Sequence, residues 1–130
     1  MPHLTVLVTL LALGLYFYMG LMVGQARRKT GIKAPATTGN PDFERVFRIQ
    51  MNTLEWLPIF LPAMWLCAYY IGDRWAAAGG VVWIVGRALY MRGYAEAATK
   101  RGPGFMVQMA ATAALWLASL VGVVSALLNH

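Results

Sequence analysis

Charge is what this 130-residue chain has little of: 12% of its residues are charged, against 59% hydrophobic. A soluble domain carries about 25% charged residues. The surface this chain can build is therefore too apolar for water, which excludes a disordered chain, a coiled coil and a soluble single-core enzyme. Cysteine is almost absent. Cys67 stands alone in an apolar run, so no intrachain disulfide and no cysteine metal cluster can form. The two histidines, His3 and His130, lie at opposite ends of the chain, and no metal site is expected. No Ser/His/Asp set is evident. Acids are few, 5 against 11 Lys and Arg, and the net charge is +6. The basic residues form no run in polar surroundings, so no nucleic-acid groove is expected despite a pI near 9.9. The length suits one domain, residues 1–130.

What is present is long apolar sequence. Charged residues are missing from 1–26, 56–72, 75–86 and 102–130. A membrane-crossing helix needs about 20 mostly apolar residues. The first and last gaps meet that outright, and the middle two continue into polar-striped helix. The expectation is an all-α, integral membrane four-helix bundle with helices near 3–26, 42–71, 74–99 and 104–128. The first segment lacks a basic start and is followed, not preceded, by Arg27-Arg28-Lys29, so it reads as a retained helix rather than a signal peptide. Asn40-Pro41-Asp42 reads as an N-cap with proline at the first helical position. Gly72-Asp73 reads as a tight turn and an N-cap for the third helix. Gly102-Pro103-Gly104 reads as the break before the fourth. Pro58 and Pro62 fall inside the second helix, where a bilayer helix tolerates them. Glycines on the first helix (14, 20, 24) and third helix (79, 80, 86) suggest close helix packing. Ten of the eleven basic residues lie in or beside the first and third connections; only Arg74 adjoins the second. The positive-inside rule then puts both long connections in the cytoplasm and both termini on the other side.

Two polar stripes stand out. A second helix of thirty residues is about 45 Å long, against a hydrocarbon core of about 30 Å, so its first turns project beyond the core. They carry Arg45, Arg48, Asn52 and Glu55, spaced three, four and three and hence on one face. The third helix carries Arg87, Tyr90 and Tyr94, with Arg101 seven residues on, sharing the face if the helix persists. An ionisable residue at membrane depth is costly unless paired, which makes such residues functional candidates. A lone salt bridge between helices, or basic ends snorkelling to headgroups, explains one or two of them. The whole set suits a small ligand bearing carboxylates and an ammonium: arginines grip carboxylates, Glu55 an amine, and Asn52 and the tyrosines bond amides.

These residues resemble the MAPEG family, the membrane-associated proteins in eicosanoid and glutathione metabolism. The resemblance is carried by Thr37 to Pro58, with its Phe43-Glu44-Arg45 opening, then Arg48, Asn52 four on and Glu55 three further. A second block, Arg87 to Tyr94 with Arg101 beyond, is similar to the leukotriene C synthase and microsomal glutathione transferase two branch. The resemblance implies a homotrimer of four-helix subunits that binds glutathione between neighbours at the cytoplasmic membrane edge, while a lipophilic electrophile enters from the lipid. It implies that Arg48, Asn52, Glu55, Tyr90 and Tyr94 bind glutathione, with Arg27 and Gln50 supplied by the neighbouring subunit. Arg101 would stabilise the thiolate, and Arg28 would assist on the electrophile's side. Trp56 stands in the glutathione-binding stretch where that branch often has tyrosine. The 5-lipoxygenase-activating protein keeps the fold but lacks the helix-two arginine and the thiolate arginine, both present here.

The expected function is thus a membrane glutathione transferase, with glutathione-dependent reduction of lipid hydroperoxides as a companion activity. A small proton-coupled multidrug transporter also has four short helices and a membrane glutamate, but arginines beside Glu55 suit a cationic substrate poorly. A non-catalytic fatty-acid-binding scaffold is the other alternative. The lack of a targeting extension or retrieval tail points to a bacterial inner membrane.

Overall fold

A computed structural model describes residues 1–130 as four antiparallel helices: α1 (His3–Thr30), α2 (Pro41–Tyr70), α3 (Asp73–Glu96) and α4 (Gly102–Leu128). There are no strands. A single 3₁₀ turn, Ala98–Lys100, joins α3 to α4. Two helical segments, His3–Thr30 and Ala98–Leu128, are long and apolar enough to cross a membrane. α2 and α3 fall short of that measure because the polar stripes interrupt them.

The helix ends follow local chemistry, with three departures from expectation. α2 starts as its sequence predicts: Asn40 Oδ1 accepts hydrogen bonds from the backbone N–H groups of Asp42 (2.9 Å) and Phe43 (3.1 Å). α1 runs one turn further than expected, through Arg27-Arg28-Lys29. It stops at Gly31, whose φ of 75° only glycine adopts freely and whose N–H bonds back to Arg27 O. Three cations in a last turn favour this extension, because they face the negative end of the helix dipole. Gly102-Pro103-Gly104 is the first turn of α4, not the break before it; proline lacks an N–H that a first turn does not need. The break lies at Ala97–Arg101.

Asp73 is the third departure. It does not cap its own helix, where Gly72 is the N-cap and offers no side chain. Its carboxylate instead caps α1, accepting from Leu4 N (3.1 Å), Thr5 N (2.8 Å) and Thr5 Oγ1 (2.7 Å). The exposed turn between α2 and α3 is thereby tied to the start of α1.

The interior is small. Phe60 of α2 stacks on Trp83 of α3 with ring centroids 4.0 Å apart and planes 2° from parallel. Val8, Ala12, Leu57, Met64, Cys67 and Leu115 pack around them, all buried. Large apolar side chains such as Leu10, Phe17, Leu66, Trp75 and Leu117 point outward. An apolar exterior of this extent is that of a chain covered by lipid or by other subunits.

α3 and α4 approach closest, through glycine. A methyl group on Gly86 would lie 2.6 Å from Gln108 N; one on Gly104 would meet the backbone nitrogen of Tyr90 and lie 2.7 Å from Gly86 O. Gly79 and Gly80 likewise face side chains of α4 and of α1 and α2. Gly14 meets nothing within 4 Å, so packing within one chain does not account for it.

The Asp73 cap yields a test. Asp73→Ala removes the carboxylate acceptors of Leu4 N and Thr5 N from the start of α1 and is expected to lower the melting temperature in detergent. Asp73→Asn keeps one oxygen for Thr5 and should fall between Asp73→Ala and the natural protein. Equal melting temperatures for all three would refute the cap.

Candidate functional site

Arg48 and Asn52 of α2 stand one turn apart. The next turns carry Glu55 and Trp56, so the stripe expected from spacing is one face of a continuous helix. Glu55 Oε1 accepts from Arg48 Nη2 at 3.3 Å and from Asn52 Nδ2 at 3.5 Å. Arg45 turns away from this group and pairs with Asp42.

Across from α2, Tyr90 and Tyr94 of α3 pack edge to face with centroids 5.4 Å apart. Arg101 does not extend their stripe, because α3 ends at Glu96 and the face argument fails at that point. The 3₁₀ turn nonetheless carries Arg101 back over the tyrosines. Its guanidinium carbon lies 5.5 Å from the Tyr94 ring centroid, and its Nη1 donates to Ala98 O at 3.0 Å.

Arg48, Asn52, Tyr90, Tyr94 and Arg101 line one cleft of about 520 Å³, closed on the α4 side by Gly102, Phe105 and Met106. The two stripes read from the sequence therefore meet in space. Glu55 and Trp56 do not line the cleft: Glu55 stands beside it, bonded to Arg48 and Asn52, and Trp56 packs edge-on against Phe105, centroids 5.5 Å apart, and so backs its wall. Phe105 and Met106 were not singled out in the sequence, since each is one more apolar residue in a long apolar run.

Arg87 sits one layer deeper than its stripe suggests. It is 0% exposed. Its Nη1 donates to Asn52 Oδ1 at 2.9 Å and to Thr53 Oγ1 at 3.3 Å. Rings of Tyr90, Trp83 and Phe105 surround the guanidinium carbon at 4.7, 5.6 and 5.9 Å.

Arg27, Arg28 and Gln50 stand apart from the cleft. Arg27 lies over the Phe43 ring at 4.7 Å and donates to Ala36 O at 2.9 Å, bracing the connection from α1 to α2. Arg28 is exposed on the last turn of α1. Gln50 packs beside Gly20 of α1. A second, mostly apolar groove along Pro58, Pro62 and Trp116 has two hydroxyl-bearing residues, Tyr70 and Ser119, and the Ser119 hydroxyl is already bonded to Ala63 O and Leu115 O. Of these two grooves, the one with charged side chains is that beneath Arg48 and Arg101.

The Arg48–Glu55 pair is about half exposed on both sides (48% and 59%). Water screens such pairs to below about 1 kcal/mol. Glu55→Gln should therefore move the melting temperature by no more than about 4 °C; a much larger loss would mark the pair as structural.

The sequence pattern of the MAPEG family matches residues 5–121. An uncharacterized protein of Synechocystis is 50% identical over 95% of this chain and 85% of its own length. Human microsomal glutathione S-transferase 2 is 42% identical over 87% of this chain and 77% of its own. Bovine leukotriene C4 synthase is 39% identical over 85% of this chain and 71% of its own.

Proposed function

The chain belongs to the MAPEG family, and on that premise we propose that it is an integral membrane glutathione transferase that joins glutathione thiolate to lipophilic electrophiles. The observation that carries the reading is the cleft itself, where Arg48, Asn52, Tyr90, Tyr94 and Arg101 converge from three parts of the chain. Relatives named for glutathione transfer support it. Arg48 binds a carboxylate of glutathione, Glu55 its ammonium, and Asn52, Tyr90 and Tyr94 its amides and remaining oxygens. Trp56 supports the bound peptide through Phe105.

Arg101 serves the sulfur. A free thiol has a pKa near about 8.5, so only a few per cent is ionised at about pH 7. A guanidinium about 4 Å away offers about 4 kcal/mol at an effective dielectric near about 20, less the cost of desolvation. Each pKa unit corresponds to about 1.4 kcal/mol, so one arginine suffices to make thiolate the main form. The thiolate lone pair forms the C–S bond while the leaving group departs with its bonding electrons. The ligand brings the nucleophile, so no protein nucleophile is needed. With a lipid hydroperoxide, the same thiolate attacks the peroxide oxygen and releases the alcohol. A second glutathione then reduces the resulting sulfenic acid, giving the disulfide and water.

The assembly follows the same reading. Four helices cross the membrane, with both termini on the non-cytoplasmic side, and three chains form a homotrimer in a bacterial inner membrane. Arg27 and Gln50, remote from the cleft of their own chain, reach glutathione held by a neighbour. Arg28 assists on the electrophile's side, and the electrophile enters from the lipid.

Arg101→Ala tests the thiolate assignment. Titration of enzyme-bound glutathione by thiolate ultraviolet absorbance should show its pKa rising toward that of the free thiol. Conjugation of 1-chloro-2,4-dinitrobenzene should fall at least about tenfold, one pKa unit's worth. An unmoved pKa removes Arg101 from this role. A protein with neither conjugating activity nor glutathione affinity by calorimetry would be a lipid-binding scaffold, and drug efflux in proteoliposomes without glutathione would make it a transporter.

A further inference from the structure

Arg87 has no assigned part in the reading above, yet it is the one fully buried cation in the bundle. Such a group is held only where acceptors and ring faces surround it. Three rings flank it. Its hydrogen bonds all come from Nη1, to Asn52 Oδ1 and Thr53 Oγ1; Nε and Nη2 have no partner in the chain. Thr53 Oγ1 itself donates to Ile49 O at 2.8 Å, which fixes that hydroxyl in the helix. Asn52 is the acceptor that also lines the cleft.

An amide has two unlike ends, and a guanidinium only donates. Arg87 therefore admits one orientation of Asn52. The oxygen must turn inward to Arg87, and the nitrogen must turn outward, where it lies 3.5 Å from Glu55 Oε1. Turning the amide over would set N–H groups against N–H groups in a buried place.

We propose that Arg87 is a positioning residue that locks the polarity of Asn52, so that the cleft presents a hydrogen-bond donor there and selects a ligand oxygen acceptor, a carbonyl or carboxylate. Asn52 then anchors the ligand beside Glu55, whose free lone pairs take its cationic end. Two unlike neighbours, one donor and one acceptor, read an oxygen and an ammonium a few ångströms apart. The assignment extends the glutathione reading and uses glutathione as its probe.

The discriminating variant is Asn52→Asp. Aspartate keeps an acceptor for Arg87, now a charged one, but has no N–H for the ligand. Because the new carboxylate would lie beside Glu55, the comparison is made in a Glu55→Gln background. There the added Asn52→Asp should leave the melting temperature undiminished and yet weaken glutathione binding by calorimetry at least about tenfold further, the usual reach of one buried hydrogen bond. Arg87→Met should raise the glutathione KM by more than it lowers kcat, and Arg87→Lys, which still donates, should recover most of that loss. In the unligated protein, Arg87→Met and Asn52→Ala should lower the melting temperature non-additively, the double variant losing little more than the worse single one. Unchanged affinity on adding Asn52→Asp to Glu55→Gln, equal behaviour of the Met and Lys variants, or additive melting losses would each overturn the proposal. If the natural protein binds no glutathione, the functional reading falls, and the melting cycle decides the Arg87–Asn52 assignment by itself.

Discussion

The close approach of α3 and α4 is the constraint on which the cleft depends. Where Gly86 and Gly104 face each other, the backbone of one helix lies against that of the other. Side chains there would hold the helices apart by the thickness of a methyl group or more. At this spacing the first turn of α4 lies beside the last turns of α3, and Gly102, Phe105 and Met106 become a wall opposite Arg48 and Asn52. The same approach folds the 3₁₀ turn tightly enough that Arg101 returns over Tyr94. Helices that lack a strong hydrophobic drive in lipid associate through just such small residues. The packing rule of the bundle and the geometry of its polar cleft thus have one origin.

Electrostatics then divides the bundle into two ends. One end holds the connections from α1 to α2 and from α3 to α4, with all basic residues except Arg74 and the buried Arg87 in or near them. The other is drawn together by Asp73, whose carboxylate caps α1 across the turn from α2 to α3. Between the ends the helices are nearly free of charge. A bonded polar group inside finds its partner in its own helix, as Thr112 does on Gln108 O, or in a neighbouring one, as Ser119 does on Ala63 O and Thr9 does for the Trp65 indole N–H at 3.0 Å. Some deep polar side chains are therefore links between helices, while others, such as Thr112, bond within their own helix.

Much of this was legible in the sequence, and the exceptions have physical causes. Four helices follow from the gaps between charges, and the start of α2 from the Asn40-Pro41-Asp42 cap. The meeting of the stripes follows from helical spacing, which fixes which residues share a face. Spacing does not fix how a helix is rotated against its neighbours. Arg87 shares a stripe with Tyr90 and Tyr94 but faces the interior, where Trp83 lies one turn away. Proline at a first helical turn and proline in a break look alike in sequence, so the break between α3 and α4 was placed five residues late. Asp73 reads as a local cap because sequence shows only local partners; its actual partners lie 68 and 69 positions away. Arg101 reached its place for a different reason than the one spacing offered, through a turn rather than a persisting helix.

The three arginines around the cleft differ in what surrounds them, and that difference divides their work. Arg48 and Arg101 are exposed, and their partners are a carboxylate, a backbone carbonyl and a ring face that a ligand can displace or join. Exposed guanidinium groups have donors to offer and move at little cost, as is needed to close on an anion. Arg87 is enclosed by three rings, and its bonded donors are already committed to Asn52 and Thr53. A charge held in that way has no freedom to meet a ligand, but it orients every dipole that touches it. The buried cation sets the geometry, the exposed cations supply the binding, and Asn52 is the group through which the first reaches the second.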